Sequence, residues 1–356
     1  MKENLLLLTA SLLFCFFIAE LYSSKKVKEK LHYNFTKAGN KREFIEFINY
    51  HTKSLHHLKN HDYYNINNPK QLIYSEIGKG EKTILIQGDS WAELLELREE
   101  SKDMIFQKSL DENIKFVMGG TSSYSPSLMS AQLNTLRYDF NINPEIIIAI
   151  IDQTDLGDEL CRYKNLRKTV NGRLIVKPNQ AGTPDYYTLH IAFRKYEILS
   201  SMLPATIKLI KYEIFNYQTN QRIKSLPIKC NVDNILGILK RGINVNDKEY
   251  WDLVLNEYIE NVFSESSTKN LILITHPHKN HFTGEYSLNI YDLINANIKK
   301  SKYFNQITMV NTDKNELINK IKIDEIFIHN DEYSHLTTDY IVKFYLPKIF
   351  NSIFKS

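Results

Sequence analysis

The feature that most constrains this chain is a series of short β-branched runs, each ending in a polar turn. Thr83–Gln87 (TILIQ) runs into GDSW, Ile114–Met118 (IKFVM) into GGTSSYSP, and Glu145–Ile151 (EIIIAII) into DQTD. Asn270–Thr275 (NLILIT) runs into HPHKNH. Gln306–Val310 (QITMV) and Glu325–His329 (EIFIH) follow, the latter leading into NDEYSH. Runs this apolar, separated by long helical stretches, predict central strands of a parallel sheet with crossover helices, an α/β fold. In open sheets of that kind the ligand site lies beyond the carboxyl ends of the strands. Four of these ends carry Ser, Thr, Asp or His clusters, so the functional site is expected there.

The flanking regions read differently. Residues 156–265 lack such runs and hold amphipathic segments such as Tyr187–Leu203 and Asp247–Phe263. They predict a mainly helical insertion within an α/β domain at 81–356, of the sort that shapes substrate access. Residues 25–80 are polar and basic, a stalk with a helical lead-in such as Lys41 to Leu58. In residues 1–24, Leu5 to Tyr22 is apolar apart from Glu20, and no small-x-small cleavage site follows. This predicts an uncleaved, single-pass transmembrane helix, with a cleaved signal peptide as the alternative. Lys25, Lys26, Lys28 and Lys30 follow the span. Charge bias taken alone would keep the body in the cytoplasm.

Composition excludes little beyond nucleic acid. The net charge of +4 is small and no RNA- or DNA-binding motif is visible. Of the three cysteines, Cys15 lies in the apolar stretch, leaving Cys161 and Cys230 free to pair in an oxidising compartment.

The chemistry-bearing residues sit at the strand ends. Ser90 follows a strand directly and precedes a helical stretch, so its hydroxyl is exposed and its N–H lies at a helix N-terminus. The same residues, Ser90 to Glu93, also fit a capping box with Ser90 as N-cap. His335 follows the last run, with Asp331 and Glu332 just before it. A neutral imidazole near a Ser hydroxyl takes its proton, and a carboxylate fixes the tautomer. His276, His278 and His281 at another strand end suggest a substrate-contacting loop or a plain polar loop ahead of a metal site. Asp155 to Glu159 reads as an acidic helix N-terminus ahead of a Mg²⁺ site.

GDS after the first strand, Gly/Ser turns after the second, an Asp-containing turn after the third and an acidic-xx-His near the end resemble the four blocks of SGNH (GDSL-like) hydrolases. GGTSSYSP followed by IIIAIIDQTDLGDE resembles a branch associated with bacterial surface-polysaccharide loci. The resemblance implies a flavodoxin-like three-layer sandwich and a Ser-His-Asp/Glu set acting on O-acyl esters of carbohydrates, with no metal and no cofactor. It places Ser90 as nucleophile and oxyanion donor, His335 as base, and Glu332 or Asp331 as its orienting acid. The second-block oxyanion donor falls at Ser123 or Gly120. The third-block Asn falls at Thr154, a departure for which the neighbouring Gln153 is the expected substitute. Asp89, Trp91, Gln153, Asp155, His276 and His278 are the expected substrate-binding residues. A carbohydrate ester is then the expected partner, with the body periplasmic or extracellular and the membrane reached through the N-terminal helix. The departure at Thr154 supports a second expectation, a catalytically impaired binding or assembly component of a polysaccharide system.

Overall fold

The computed structural model describes residues 2–36, 73, 75–121, 123–165, 167–170, 173–176, 194–224, 240, 242–276, 278–286, 288–311, 321–329 and 334–354. The chain begins with α1 (Lys2–Thr36), β1 (Ser75–Ile77), β2 (Lys82–Gly88), α2 (Ser90–Leu97), α3 (Glu99–Glu112) and β3 (Ile114–Met118). Next come α4 (Pro126–Phe140), β4 (Ile146–Ile150) and α5 (Gln153–Asp158), which runs into a π-helical turn, Glu159–Tyr163. The hairpin β5 (Arg167–Val170) and β6 (Arg173–Val176) precedes α6 (Ala205–Lys224) and α7 (Val245–Val262). The last part holds β7 (Asn270–Thr275), α8 (Lys279–Phe282), α9 (Ile290–Ile298) and β8 (Ile307–Asn311). After them come α10 (Ile323–Ile326), α11 (Thr338–Tyr340), a second π-helical turn (Ile341–Tyr345) and α12 (Leu346–Phe354).

Two compact units emerge, 1–53 with 181–227, and 54–180 with 228–356. In the first, α1 has 35 residues, about 52 Å at 1.5 Å per residue. It is long and apolar enough to cross a bilayer. Val27 and Leu31 of α1 pack against Ala205, Leu209 and Tyr212 of α6 and against Leu199, which precedes it. Glu20, the one charge in the apolar stretch, accepts from the N–H groups of Ala205 (2.5 Å) and Thr206 (3.0 Å) and from the Thr206 hydroxyl (2.7 Å). A carboxylate at a helix N-terminus satisfies otherwise orphaned donors and complements the dipole.

The second unit is an α/β fold. Its sheet runs in the order β1-β3-β2-β4-β7-β8, parallel throughout except for β1. Strand side chains alternate between faces. Ile84, Ile86, Phe116, Ile148, Ile150, Ile272 and Ile274 meet Trp91, Leu95, Ile105, Ile341, Leu346 and Phe350 on one side. On the other side Gln87, buried mid-sheet, donates to Met129 O (2.9 Å) and Gln132 Oε1 (2.7 Å) of α4 and accepts from Tyr258 of α7 (3.0 Å). A buried amide is tolerated only when so satisfied. Buried Arg137 ties α4 to the end of α7 through Asn261 O (2.6 Å) and Val262 O (2.7 Å).

Five of the six expected strands are present, with shifts of one residue at some ends. The sixth is corrected. Ile323–Ile326 is a helical turn with Asp324 and Glu325 in its first turn, where acids suit the dipole. Phe327 forms only an isolated antiparallel bridge, with Leu336. Beside it Ile328 N–H bonds to His335 O (2.9 Å) and Thr337 N–H to Ile326 O (2.9 Å). This apolar run therefore pairs with the His335 segment rather than extending the sheet. The stretch 156–265 contributes a β-hairpin as well as helices. Its last helix, α7, is a layer helix that buries Trp251, Val254, Leu255, Tyr258 and Ile259. The lead-in Lys41 to Leu58 and residues 187–193 of the expected segment Tyr187–Leu203 lie outside the described residues.

Candidate active site

The connections after β2 and β4 leave in opposite directions, β2 to β3 and β4 to β7. The crevice between two such neighbouring strand ends is where open α/β sheets hold ligands. Ser90 lies at the end of β2, and Asp152 to Asp155 at the end of β4.

Gly88 makes the turn after β2 possible. It sits at φ 149°, and a Cβ there would lie 2.6 Å from Ile150 O and 2.9 Å from Ala92 Cβ. Asp89, not Ser90, is the N-cap of α2, its Oδ1 accepting from Trp91 N–H (2.8 Å). The capping-box alternative for Ser90 is thereby replaced, and the Ser90 hydroxyl is released from capping. It lies 2.8 Å from His335 Nε2, across 245 residues of sequence. Both residues are half-buried. The Ser90 N–H, at the first position of α2, has no intrahelical acceptor available to it.

His335 is fixed through its neighbours. Ser334 is fully buried at φ 60°, and its hydroxyl accepts from Lys279 N–H (3.1 Å). The pairing of 326–328 with 335–337 holds the His335 backbone on both sides. Asp331 and Glu332, the expected orienting acids, lie outside the described residues.

A second donor stands close by. Gly119 N–H bonds to Ile86 O (2.7 Å) and Thr121 N–H to Gly88 O (2.9 Å). Among the described residues none accepts from the intervening Gly120 N–H. Gly120 is pressed on the first turn of α2, where a Cβ would sit 2.4 Å from Ala92 C and Glu93 N. Ser123, in the same turn, has φ 61°. Its hydroxyl accepts from Arg162 Nη1 (2.5 Å) and its carbonyl from the Tyr163 hydroxyl (2.7 Å).

Beneath these groups three carboxyls gather. Oxygens of Asp89, Asp152 and Asp155 lie within 4.8 Å of one another, all buried. Each has a local reason to be there. Asp152 caps α5 and forms a capping box with Asp155, whose Oδ2 accepts from Asp152 N–H (2.8 Å). The cap of α5 is thus Asp152. Thr154 donates its hydroxyl to Asp152 Oδ1 (2.6 Å), with Asp89 Oδ2 a longer 3.3 Å away. Among the described residues, Asp152 Oδ2 and Asp155 Oδ1 have no hydrogen-bond partner. By donor type the set suits a hard cation such as Mg²⁺ or Ca²⁺. Burial, then repulsion from Asp152, holds Asp89 well above the usual carboxylate range. Burial, then Asp89 and Asp152, does the same to Asp155. Burial raises Asp152 too, opposed by the bonds from Thr154.

These groups keep protons in the fold that the unfolded chain releases near 3.8. Their protonated forms favour folding, so their contribution is lost as pH rises above that value. Asp155→Asn keeps an oxygen for Asp152 N–H and removes one such group. As pH rises from about 4 its melting temperature is expected to fall less than that of the wild type, read by scanning calorimetry across pH. An equal or steeper fall would contradict the assignment.

The remaining expected residues are placed as follows. Trp91 is buried behind Ser90, its ring 5.1 Å from that of His276. His276 is 1% exposed, with Nε2 3.3 Å from the Tyr340 hydroxyl. His278 is the N-cap of α8 and 2% exposed. His281 bonds to the carbonyls of His278 (3.2 Å) and Leu288 (2.5 Å). The three imidazoles thus take separate partners. Gln153 Oε1 accepts from His278 N–H (3.1 Å), which fixes the amide.

Sequence reasoning missed Arg162 and Tyr163 and read Glu159 only as part of an acidic helix N-terminus. Glu159 accepts from the hydroxyls of Ser125, Ser127 (2.6 Å) and Tyr250 (2.9 Å), binding the α4 N-terminus. Its one signal was an acid followed by an Arg just past the third strand end.

Cys161, in the same π-helical turn, is disulfide-bonded, and Cys15 is free. The expected partner, Cys230, lies outside the described residues.

No protein-family profile matches the sequence, and no curated protein does. Among solved structures, a catalytic mutant of the acetylxylan esterase Axe2 from Geobacillus stearothermophilus aligns over 77% of this chain and 95% of its own, at 10% identity and a TM-score of 0.36.

Proposed function

We propose that this protein is a membrane-anchored serine esterase or acyltransferase that moves an O-acyl group, acetyl foremost, from or onto a surface carbohydrate. The observation that carries the reading is the 2.8 Å contact between Ser90 Oγ and His335 Nε2 at the switch point of the sheet. A serine freed from capping and paired with an imidazole is an activated nucleophile.

Ser90 Oγ attacks the acyl carbonyl and gives its proton to His335 Nε2. The carbonyl oxygen becomes an oxyanion facing the N–H groups of Ser90 and Gly120. Collapse breaks the ester bond, and His335 returns the proton to the departing sugar oxygen. The acyl-enzyme is then attacked by water, giving hydrolysis, or by another sugar hydroxyl, giving transfer. Asp331 or Glu332 orients the imidazole, and the fixed amide of Gln153 supplies a third donor in place of Thr154. Asp89, Trp91, Asp155, His276 and His278 support the site from beneath rather than lining an open subsite. The chemistry needs no metal or cofactor.

The apolar helix α1 supplies the anchor. Disulfides persist in oxidising compartments, so the bond at Cys161 favours a body outside the cytoplasm, against the lysine bias. The second reading, a binding component with an idle site, is favoured by Thr154, whose hydroxyl is committed to Asp152.

The test treats the full-length protein in detergent with a fluorophosphonate probe and locates the label by mass spectrometry. Labelling at Ser90 that is lost in His335→Ala is the expected result. A folded protein that takes no label and releases no acetate from acetylated polysaccharide would favour the binding component.

A further inference from the structure

The turn after β3 is gripped from two sides. On one side Gly120 is wedged on α2 and Thr121 is tied to Gly88. On the other side a single π-helical turn, Glu159–Tyr163, supplies three side chains to it. Glu159 takes the hydroxyl of Ser125. Arg162 and Tyr163 take the hydroxyl and the carbonyl of Ser123. The hydroxyl and the carbonyl of one serine are thus held by consecutive residues of one helical turn.

Ser123 is the residue in that turn that needs holding. Its φ of 61° lies in the left-handed region, which disfavours any residue with a Cβ. Such strain persists only where the surroundings over-determine it, and it clusters at functional sites. The surroundings here are costly in themselves. Arg162 is 6% exposed and its Nε lies 3.1 Å from Asp158 Oδ1, while Tyr163 is 1% exposed. A π-helical turn, itself rare and frequent at functional sites, adds the residue that brings both side chains to the same serine.

We propose that Arg162 and Tyr163 are positioning residues for acyl transfer. They hold Ser123 left-handed, and so hold the turn that presents Gly120 N–H to the oxyanion beside Ser90. The proposal rests on the serine-nucleophile reading. An oxyanion donor acts only when fixed at the place where charge develops, so a turn that relaxes lowers kcat and leaves ground-state binding alone.

The test is a rescue. Tyr163→Phe removes only a hydroxyl. Arg162→Gln combined with Asp158→Asn removes the other hold without stranding a buried charge. Each is made with and without Ser123→Gly, since glycine adopts this φ at little cost. For Tyr163→Phe, kcat on a soluble acetyl ester is expected to fall about tenfold to a hundredfold with KM unchanged. Adding Ser123→Gly is expected to restore kcat to within about threefold of the wild type, because glycine needs no clamp. Ser123→Gly, which removes the Arg162 acceptor in both backgrounds, is also expected to change the melting temperature more favourably in Tyr163→Phe than in the wild type, a readout independent of catalysis. If wild-type protein turns over the ester but Ser123→Gly neither rescues kcat nor couples in melting temperature, the clamp is overturned and the nucleophile stands. The same holds if KM rises instead of kcat falling. If wild-type protein takes no fluorophosphonate at Ser90 and turns over no ester, the nucleophile reading fails and the proposal fails with it.

Discussion

Ser90→Ala lowers acetyl-ester turnover by about three orders of magnitude or more, and His335→Ala by a similar factor. The double variant is expected to be no worse than either alone. A nucleophile and its base act as one unit, so removing either removes the covalent route. The residual rate reports what the donors and substrate binding supply without attack by the serine. Neither change touches a group that holds the fold. Asp89 keeps the cap of α2 and the pairing of 326–328 with 335–337 is backbone to backbone, so melting temperatures stay close to the wild type. Initial rates on a soluble acetyl ester, with calorimetry on the same samples, decide it. Additive losses in the double variant would mean that the two residues serve separate steps and that their 2.8 Å contact is incidental.

Gly120→Ala carries the largest expected effect on the fold around the site. The added Cβ would stand 2.4 Å from Ala92 C and Glu93 N, backbone atoms of α2 that cannot rotate away. Overpacking of this kind costs about 1–3 kcal/mol, and a backbone obstacle puts the cost at the upper end. The turn or α2 must shift, and either motion separates Gly120 N–H from Ser90. Loss of stability should therefore accompany loss of fluorophosphonate labelling by about a hundredfold. Chemical denaturation and labelling rates on one preparation test both. A variant with wild-type stability and full labelling would show that the turn yields without consequence and that Gly120 is no donor.

Much of the sheet was legible because burial on both faces writes itself as unbroken β-branched runs, as in Ile146–Ile150 and Asn270–Thr275. The same signal misled at Glu325–His329. An apolar run of that length fits equally a short bridge segment pinned by its own return strand. The edge strand Ser75–Ile77 has three residues, too few to show alternation. At the site, Ser90 and His335 could be named from their places at strand ends, yet the rival use of Ser90 as a cap was undecidable. The outcome depended on Asp89, one residue earlier, taking the cap of α2 through its Oδ1. The link from Arg162 to Ser123 spans 39 positions and involves residue types common on any surface. Only burial and backbone conformation, neither written in the local sequence, make it distinctive.

The cap that Glu20 places on α6 changes what the first helix is. A targeting sequence is an address, read once and then dispensable. Here proteolytic removal anywhere beyond Glu20 would leave the first donors of α6 without their acceptor, and a cut beyond Val27 would also strip the apolar face around Ala205 and Tyr212. The segment long and apolar enough to cross a bilayer is also a beam of the smaller unit. A soluble form made by trimming it is a different folding problem from the intact chain.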